Sequence, residues 1–273
     1  DGAGRFAFFG VAPGDYVLYG YRVTTAVATS IFASLPVTVG SGHVDGLAMR
    51  LAPGARISGR VAFDGTTPAP GAAVVQGVSL GLRPLTGALP VADAQPDADG
   101  RFRLSGYPPG RYTLTAIVPP SPGTGSSWTL ASVLVGGREV AGESLLLGTE
   151  DITDAIVTFT DKSIVLAGTV RAAGATRDAA ATVVVFPADT DAWIASGMSS
   201  RRMAAAEASA DGAYSVRVLL PGDYFVIALP PEIAPEVDRE FIKRYAGAAT
   251  RVRLRLGDAL DQPLTLARQV RGQ

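Results

Sequence analysis

One short motif occurs three times in this chain, and its spacing limits the folds that the chain can adopt. Each copy begins with glycine and an aromatic residue two positions on, and ends with Pro-Gly-x-Tyr, with the two glycines ten positions apart. The paired glycines and the closing tyrosine are Gly4, Gly14 and Tyr16; Gly100, Gly110 and Tyr112; Gly212, Gly222 and Tyr224. The copies begin 96 and 112 residues apart, which is the length of a domain and too long for a solenoid repeat. The sequence therefore predicts a tandem of similar modules.

Each copy of the motif predicts two strands joined by a tight turn. Glycine tolerates the positive φ of the first turn, and the run Arg101–Leu104 alternates, with Phe102 and Leu104 on one face. Pro-Gly sets the second turn, so we interpret the motif as a hairpin. The tyrosine that follows is expected to pack its ring inward and to hydrogen-bond nearby backbone, as in a tyrosine corner.

Further repeated segments complete the predicted modules. An opening strand containing Gly-x-Val occurs at Ile57–Val61 and Leu166–Val170, and each is followed by a turn and another predicted strand, at 73–76 and 182–186. Closing strands are predicted at 43–51, 151–159 and 261–266. About seven short strands per module favour an antiparallel sandwich.

The predicted fold class is therefore all-β, as tandem seven-stranded antiparallel sandwiches of the Ig-like or transthyretin-like kind. The predicted modules are 1–51, 52–159 and 160–273, and the first is partial because it lacks the opening strand and that strand's partner. The joints near Ala52 and Thr160 are short, so we expect a stiff rod. One helix is predicted near 235–246, where Val237, Phe241 and Tyr245 form a stripe between Pro235 and Gly247.

The repeated signature resembles a known family. Asp-Gly-x-Phe followed by Pro-Pro-Gly-x-Tyr-x-Leu, with an upstream Gly-x-Val strand, is similar to the carboxypeptidase regulatory-like domain, a transthyretin-like sandwich related to the Cna-B repeats of bacterial surface proteins. The last module resembles the C-terminal region of large acidobacterial surface proteins over 157–162, 183–189, Trp193, 200–202 and 220–224. The resemblance implies an extracellular or cell-surface protein, secreted with a signal peptide outside this chain. It implies no biochemical activity.

Composition excludes several classes of function. The chain has 24 basic and 25 acidic residues, a net charge of −1, and nucleic-acid binding needs a concentrated basic surface. It has no cysteine and a single histidine, His43, so no Cys nucleophile, Ser-His-Asp triad or zinc centre is expected. We expect no catalytic residue and no cofactor. No apolar run reaches the roughly 18 residues of a membrane span.

Two weak candidates for side-chain chemistry remain. Asp97 and Asp99 resemble half of a calcium loop, but calcium takes six to eight oxygens, and a plain turn is the default interpretation. Cna-B relatives carry internal Lys–Asn or Lys–Asp bonds. Asparagine is absent here, and Lys162 is interpreted as a solvated side chain at a module joint.

The remaining features suggest contact between subunits. Residues 24–41 carry no charge, and Ile31, Phe32 and Leu35 are predicted to lie in an apolar loop; Trp128 and Trp193 are further candidate interface residues. The leading hypothesis is a structural rod that assembles with itself, through a strand supplied to the incomplete first module by another subunit or by the upstream part of the same polypeptide. The alternatives are a carbohydrate- or peptide-binding adhesin module, with Trp128, Trp193, Tyr107 or Tyr245 as stacking platforms, and an accessory domain of a membrane-associated complex.

Overall fold

The computed structural model describes residues 1–22, 31–85, 93–120, 128–172, 180–195, 197–198, 200–218, 220–231 and 237–267. These residues are mostly strand, arranged in several sheets with a few short helices. The predicted all-β class of tandem sandwiches is confirmed. We use "first", "second" and "third module" for the predicted ranges 1–51, 52–159 and 160–273.

The first module contributes a single sheet. Its strands are β1 (Gly14–Arg22) and β2 (Ile31–Val39). The short strand β3 (Ala52–Pro53), at the start of the second module's range, pairs on the far side of β2. The β1–β2 ladder is antiparallel from Gly14 opposite Val39 to Arg22 opposite Ile31. The predictions of a strand after Gly4 and of a closing strand at 43–51 are wrong, because residues 1–13 and 40–51 form no strand. A strand persists only beside a hydrogen-bonding neighbour, and these segments have none in the described chain.

The second module contains two sheets and one short helix. Its strands are β4 (Ala55–Phe63), β5 (Ser79–Pro84), β6 (Arg101–Tyr107), β7 (Gly110–Ile117), β8 (Thr129–Val135), β9 (Arg138–Glu139), β10 (Leu145–Leu147) and β11 (Ile152–Thr160). One sheet has the order β10-β7-β5 and the other β6-β4-β11-β8-β9.

A helix replaces one predicted strand of this module. The prediction of a strand at 73–76 is wrong, because Ala72–Gln76 forms the helix α1 and the strand comes later, as β5. The predicted strand was only four residues long, which is too short to show whether its apolar residues repeat with the period of a helix or of a strand.

The third module has the same arrangement. Its strands are β12 (Ile164–Arg171), β13 (Ala181–Pro187), β14 (Ala204–Ala208), β15 (Ala213–Val218), β16 (Gly222–Leu229), β17 (Thr250–Leu254), β18 (Ala259–Asp261) and β19 (Leu264–Thr265). One sheet is β15-β12-β18, with β19 also pairing β12, and the other is β14-β13-β16-β17.

The described residues of this module also include the helices α2 (Thr190–Ala195) and α3 (Arg239–Tyr245), and the short 3-10 helices Ser200–Arg202 and Ala246–Ala248. The predicted helix near 235–246 is present as α3, which begins after Asp238, whose carboxylate accepts a 2.7 Å hydrogen bond from the Phe241 N–H. Pro235, the predicted first-turn residue, lies outside the described residues.

The Pro-Gly turn joins two different sheets, so its interpretation as a hairpin is wrong. In the second module β6 pairs with β4, while β7 pairs with β5 and β10. In the third, β15 pairs with β12, while β16 pairs with β13 and β17. A Pro-Gly turn indicates that the chain reverses its direction. It does not indicate which strands pair, because that depends on strands far away in the sequence.

The opening strand of each complete module lies between an antiparallel and a parallel neighbour. β4 pairs antiparallel with β6 and parallel with the closing strand β11. β12 pairs antiparallel with β15 and parallel with β18 and β19. The two sheets that contain β4 and β12 are therefore mixed, whereas the sheets β1-β2-β3, β10-β7-β5 and β14-β13-β16-β17 are antiparallel, as predicted.

Buried side chains form a separate interior in each complete module. The second module's interior runs from Ala55 to Phe159, and the third's from Ile164 to Leu264. A further cluster joins α2 and α3 to the outer face of β13 and β16, and its largest members are Phe186, Trp193, Phe241 and Tyr245. Among the described residues of the first module, the buried hydrophobic side chain is Phe32.

Candidate assembly site

The tyrosine of each motif makes the same hydrogen bond. The hydroxyls of Tyr16, Tyr112 and Tyr224 each donate to the backbone carbonyl four residues earlier, at 2.9, 2.7 and 2.7 Å. Burial raises the pKa of Tyr112 and of Tyr224 above the ordinary tyrosine value. The three Pro-Gly-x-Tyr corners are therefore locally alike.

The glycine that begins each motif is required by its backbone angle. Gly4, Gly100 and Gly212 have φ values of 78°, 77° and 79°, in the left-handed region that favours glycine. The turn before it also recurs, because the Asp1 and Asp97 carboxylates each accept hydrogen bonds from the N–H groups two and four residues later.

The first module differs from the others in the exposure of its core positions. Phe102 and Leu104 are 4% and 1% exposed in the second module, and Tyr214 and Val216 are 4% and 2% exposed in the third. The residues at the same positions of the first motif, Phe6 and Phe8, are 45% and 66% exposed. Phe9, Tyr16 and Tyr21 are exposed as well. At the positions of Phe6, Phe8 and Tyr16, the first module therefore presents to solvent aromatic side chains whose counterparts the other two modules bury, and we call these three residues the open face.

The interface residues predicted near position 31 lie in a strand. The prediction of a loop is wrong for Ile31, Phe32 and Leu35, because all three belong to β2. Phe32 is buried, and Ile31 and Leu35 are partly buried, since β2 pairs with both β1 and β3. Residues 24–30 of the uncharged stretch lie outside the described chain.

The aromatic residues named as stacking platforms are mostly interior. Trp193, Tyr107 and Tyr245 are buried, so the prediction that Trp193 is an exposed interface residue is wrong. Trp128 is half-buried and packs edge-on against Phe63, with ring centroids 5.1 Å apart. These four side chains do not form an exposed platform for a sugar ring or a peptide.

The acidic turn of the second module uses its carboxylate within the backbone. The Asp97 carboxylate accepts hydrogen bonds from the N–H groups of Asp99 and Arg101, at 3.0 and 2.8 Å. Within the described residues, no three carboxylate or imidazole groups lie close enough to hold a metal ion. His43 lies in the exposed segment after β2.

The joint between the second and third modules is held by a carboxylate that sequence reasoning missed. Asp161 follows β11 directly and accepts four hydrogen bonds, from the N–H and hydroxyl groups of Thr66 and Thr67, at 2.6 to 3.1 Å. The Thr67 hydroxyl and the Thr66 N–H hold the pKa of this carboxyl well below its usual range. The sequence feature that could have identified Asp161 is its position immediately after a predicted closing strand, at the joint between two modules.

Two more contacts connect the same modules. Lys162 Nζ lies 3.1 Å from an Asp64 carboxylate oxygen, so this lysine occupies a module joint and forms an ion pair across it. Arg202 lies 3.4 Å from Glu143, and Leu220 is buried in the second module's interior. Side chains on several segments therefore fix how the second and third modules meet.

No helix in the described chain is long and apolar enough to cross a membrane.

Comparison with known proteins gives only distant similarities. No family model matches the chain, and no curated protein matches it. Among solved structures, a streptococcal ancillary pilin aligns over 95% of this chain and 76% of its own length, at 13% identity and a TM-score of 0.31. The minor pilin of Streptococcus agalactiae aligns over 80% of this chain and 100% of its own, at 12% identity and a TM-score of 0.31.

The Bacillus anthracis TIE protein aligns over 94% of this chain, at 11% identity and a TM-score of 0.24, and the chain spans 43% of that protein's length. These TM-scores are too low to support a function for this chain, so its function is proposed from its own geometry.

Proposed function

We propose that this chain is a non-catalytic structural part of an extracellular or cell-surface protein. In this proposal it is a rod of β-sandwich modules that assembles with further copies of itself through the open face of the first module. The family resemblance of the repeated motif to carboxypeptidase regulatory-like surface repeats, including those of acidobacteria, supports the location outside the cell.

The observation that carries the proposal is the exposure of Phe6 and Phe8. Both residues occupy positions whose counterparts lie in the interiors of the second and third modules. Burial of large apolar side chains is the main favourable term in protein association, and a contiguous exposed apolar surface is typical of an interaction site. A net charge of −1 adds little long-range repulsion between copies.

The joint contacts support the rod. Asp161, Lys162 and Arg202 each bond across the boundary between the second and third modules, which limits bending there. The boundaries after residues 51 and 159 are part of this proposal. The separate interiors of the second and third modules favour the boundary after residue 159.

Size-exclusion chromatography with light scattering, combined with negative-stain microscopy, tests the proposal. We expect the mass of the particle to rise with protein concentration, and Phe8→Ser to suppress that rise. Leu146→Ser is the matched control, since Leu146 is an equally exposed apolar residue, at 69%, in the second module. A strictly monomeric particle at every concentration, or equal effects of the two substitutions, contradicts the proposal.

A further inference from the structure

Three arginine side chains lie together on the outward face of the second module's mixed sheet. Arg60 on β4 lies directly opposite Arg101 on β6, and Arg103, two positions further along β6, lies opposite Ser58. All three arginines are exposed. Directly opposite residues of an antiparallel pair have Cβ atoms about 4.5–5.5 Å apart, so three positive charges are held close together. We call Arg60, Arg101 and Arg103 the arginine triad.

The arginine triad has no counter-charge of its own. Within the described residues, no hydrogen bond or ion pair involves any of its three guanidinium groups. Other exposed arginines of the same module are paired, since Arg83 lies 2.7 Å from Asp93 and Arg138 lies 3.3 Å from Glu143. The guanidinium donors of the triad are therefore available to a ligand.

The fold does not require these three charges. The third module has the same ladder, in which Thr169 lies opposite Ala213 and Ala167 lies opposite Ser215. Counted from the glycine of the opening strand, Thr169, Ala213 and Ser215 are the counterparts of the triad. Like charges directly opposite each other destabilise a sheet, so the second module carries an unfavourable arrangement that the third lacks. Side chains that oppose stability in this way are typical of binding sites.

The triad lines an open groove of about 770 Å³ that crosses β6, β4 and β11. This volume is within the range of ligand-binding sites. The rest of the lining is mainly polar and exposed, with Gln95, Thr153 and the carboxylates of Asp97 and Asp154. Phe102 is the aromatic residue of the lining, and its side chain is buried, so the groove offers no ring on which a ligand can stack.

The two carboxylates of the groove add hydrogen-bond acceptors to the donors of the triad. One oxygen of Asp97 accepts the N–H groups of Asp99 and Arg101, at 3.0 and 2.8 Å. One oxygen of Asp154 accepts the Gly136 N–H at 3.3 Å. The other oxygen of each carboxylate has no donor within the described residues. A guanidinium group pairs with a carboxylate through two parallel hydrogen bonds, whereas a free carboxylate oxygen accepts from a hydroxyl group. The groove thus suits a ligand that carries both carboxylates and hydroxyl groups.

We propose that this groove binds an acidic oligosaccharide. The carboxylates of the sugar units pair with the arginine triad, and their hydroxyl groups donate to Asp97 and Asp154. A neutral sugar would leave the triad unpaired. A peptide of Asp or Glu residues has no hydroxyl groups for the two carboxylates, and its backbone finds no partner, because the groove crosses strands whose backbone groups already bond to one another. The groove lies in the second module, so the proposal does not rest on assembly through the open face.

Isothermal titration calorimetry of the full chain with tetragalacturonate tests the proposal, since each unit of this probe carries both a carboxylate and hydroxyl groups. We expect one ligand to bind per chain. We expect the Arg60→Thr, Arg101→Ala double variant to bind it at least about tenfold more weakly, as loss of charge-assisted hydrogen bonds implies. Thr169 and Ala213 occupy the same register in the third module, so these replacements suit the ladder. Absence of binding to the unaltered chain overturns the proposal.

The matched control removes the same amount of charge outside the groove. Arg56 on β4 and Arg217 on β15 are exposed and do not line the groove, and the Arg56→Ser, Arg217→Ser double variant is expected to keep the affinity. Equal losses from the two double variants would show a general effect of charge and overturn the proposal. The urea midpoint of the groove variant is expected to stay the same or to rise, because a like-charge repulsion is removed. A lower midpoint would overturn the inference that the fold does not require the triad.

Two further probes of the same length identify the class of ligand. Maltotetraose has hydroxyl groups without carboxylates, and tetraglutamate has carboxylates without hydroxyl groups. Each is expected to bind at least about tenfold more weakly than tetragalacturonate. Equal or tighter binding of tetraglutamate would assign the groove to an acidic peptide, and equal binding of maltotetraose would remove the triad from recognition, so either result overturns the proposal. Phe8→Ser, the variant expected to suppress assembly, is expected to keep the full affinity, which distinguishes failure of this proposal from failure of the proposed function.

Discussion

Gly59 and Ala155 approach so closely across two parallel strands that a Cβ atom at position 59 would lie 1.9 Å from the Ala155 carbonyl oxygen. This contact allows the closing strand of the second module to pair with its opening strand. Gly59→Ala is therefore expected to lower the free energy of unfolding by about 2 kcal/mol or more, as overpacking against backbone does.

Urea unfolding followed by tryptophan fluorescence measures this effect. The chain has two tryptophans, so a Trp193→Phe background leaves Trp128, which packs against the second module's interior. Gly148→Ala is the control, since a Cβ atom there would meet no described atom within 4 Å, and we expect a change within about 0.5 kcal/mol. Equal effects of the two substitutions would contradict the steric explanation.

The tyrosine corners predict a graded response to loss of the hydroxyl. Tyr112→Phe and Tyr224→Phe each leave a buried backbone carbonyl without its donor, which costs about 1–2 kcal/mol of unfolding free energy. Tyr16→Phe removes the same bond from an exposed ring, where water replaces the donor, and is expected to cost less than about 0.5 kcal/mol. Urea midpoints of the three variants compare these values, and a Tyr16→Phe effect as large as the other two would count against an open first module.

Stability is expected to fall at alkaline pH. Desolvation by burial raises the pKa of Tyr107, Tyr112 and Tyr224, and raises that of Tyr214 to about 12. An unfolded tyrosine has a pKa of about 10, so the stabilisation is fully present below about pH 10 and is lost as the pH rises through the folded-state values. Urea midpoints measured across this range test the trend, and a flat profile from pH ~9 to ~12 contradicts it.

Asp161 is expected to slow hydrogen exchange at the two backbone amides that donate hydrogen bonds to its carboxylate. The N–H groups of Thr66 and Thr67 donate to its carboxylate at 2.7 and 2.8 Å, and Asp161→Ala is expected to speed their hydrogen exchange by about tenfold or more. Because the pKa of Asp161 is lowered, the stabilisation is fully present above about pH 4 and is lost as the pH falls through the folded value. Asp99→Ala, at another exposed carboxylate, is the control. Unchanged hydrogen exchange at Thr66 and Thr67 would contradict the conclusion that Asp161 helps to hold the two modules together.

The repeated motif predicted much of each module's local structure. The turn glycines, the tyrosine hydrogen bonds and the strands around Phe102 and Tyr112 depend on residues close together in sequence, which a local pattern encodes. The pairing of β4 with β11 joins residues about a hundred positions apart, and no local pattern specifies it. The Pro-Gly turn was misinterpreted for the same reason, since a hairpin and a crossing between sheets use similar turn residues.

The candidate site was predictable in part. Comparing the motif copies aligned Phe6 with the buried Phe102, and this alignment identified the position whose exposure distinguishes the first module. The buried position of Trp193 was not predictable from its sequence neighbours, because it packs in a cluster with Phe241 and Tyr245, which lie far later in the chain. Asp161 was likewise missed, because its partners Thr66 and Thr67 lie about 95 residues earlier.

The parallel pairing of β4 with β11 has a mechanical consequence. A tensile load enters the second module at the start of β4 and leaves it at the end of β11, and these two strands are direct neighbours in one sheet. Pulling the ends apart slides the two strands past each other, so the load falls on the whole ladder from Ile57 to Phe63 at once. Such shear resists force far better than peeling, in which hydrogen bonds break one after another. The strand pairing that closes the sandwich thus makes the module a strong link under tension.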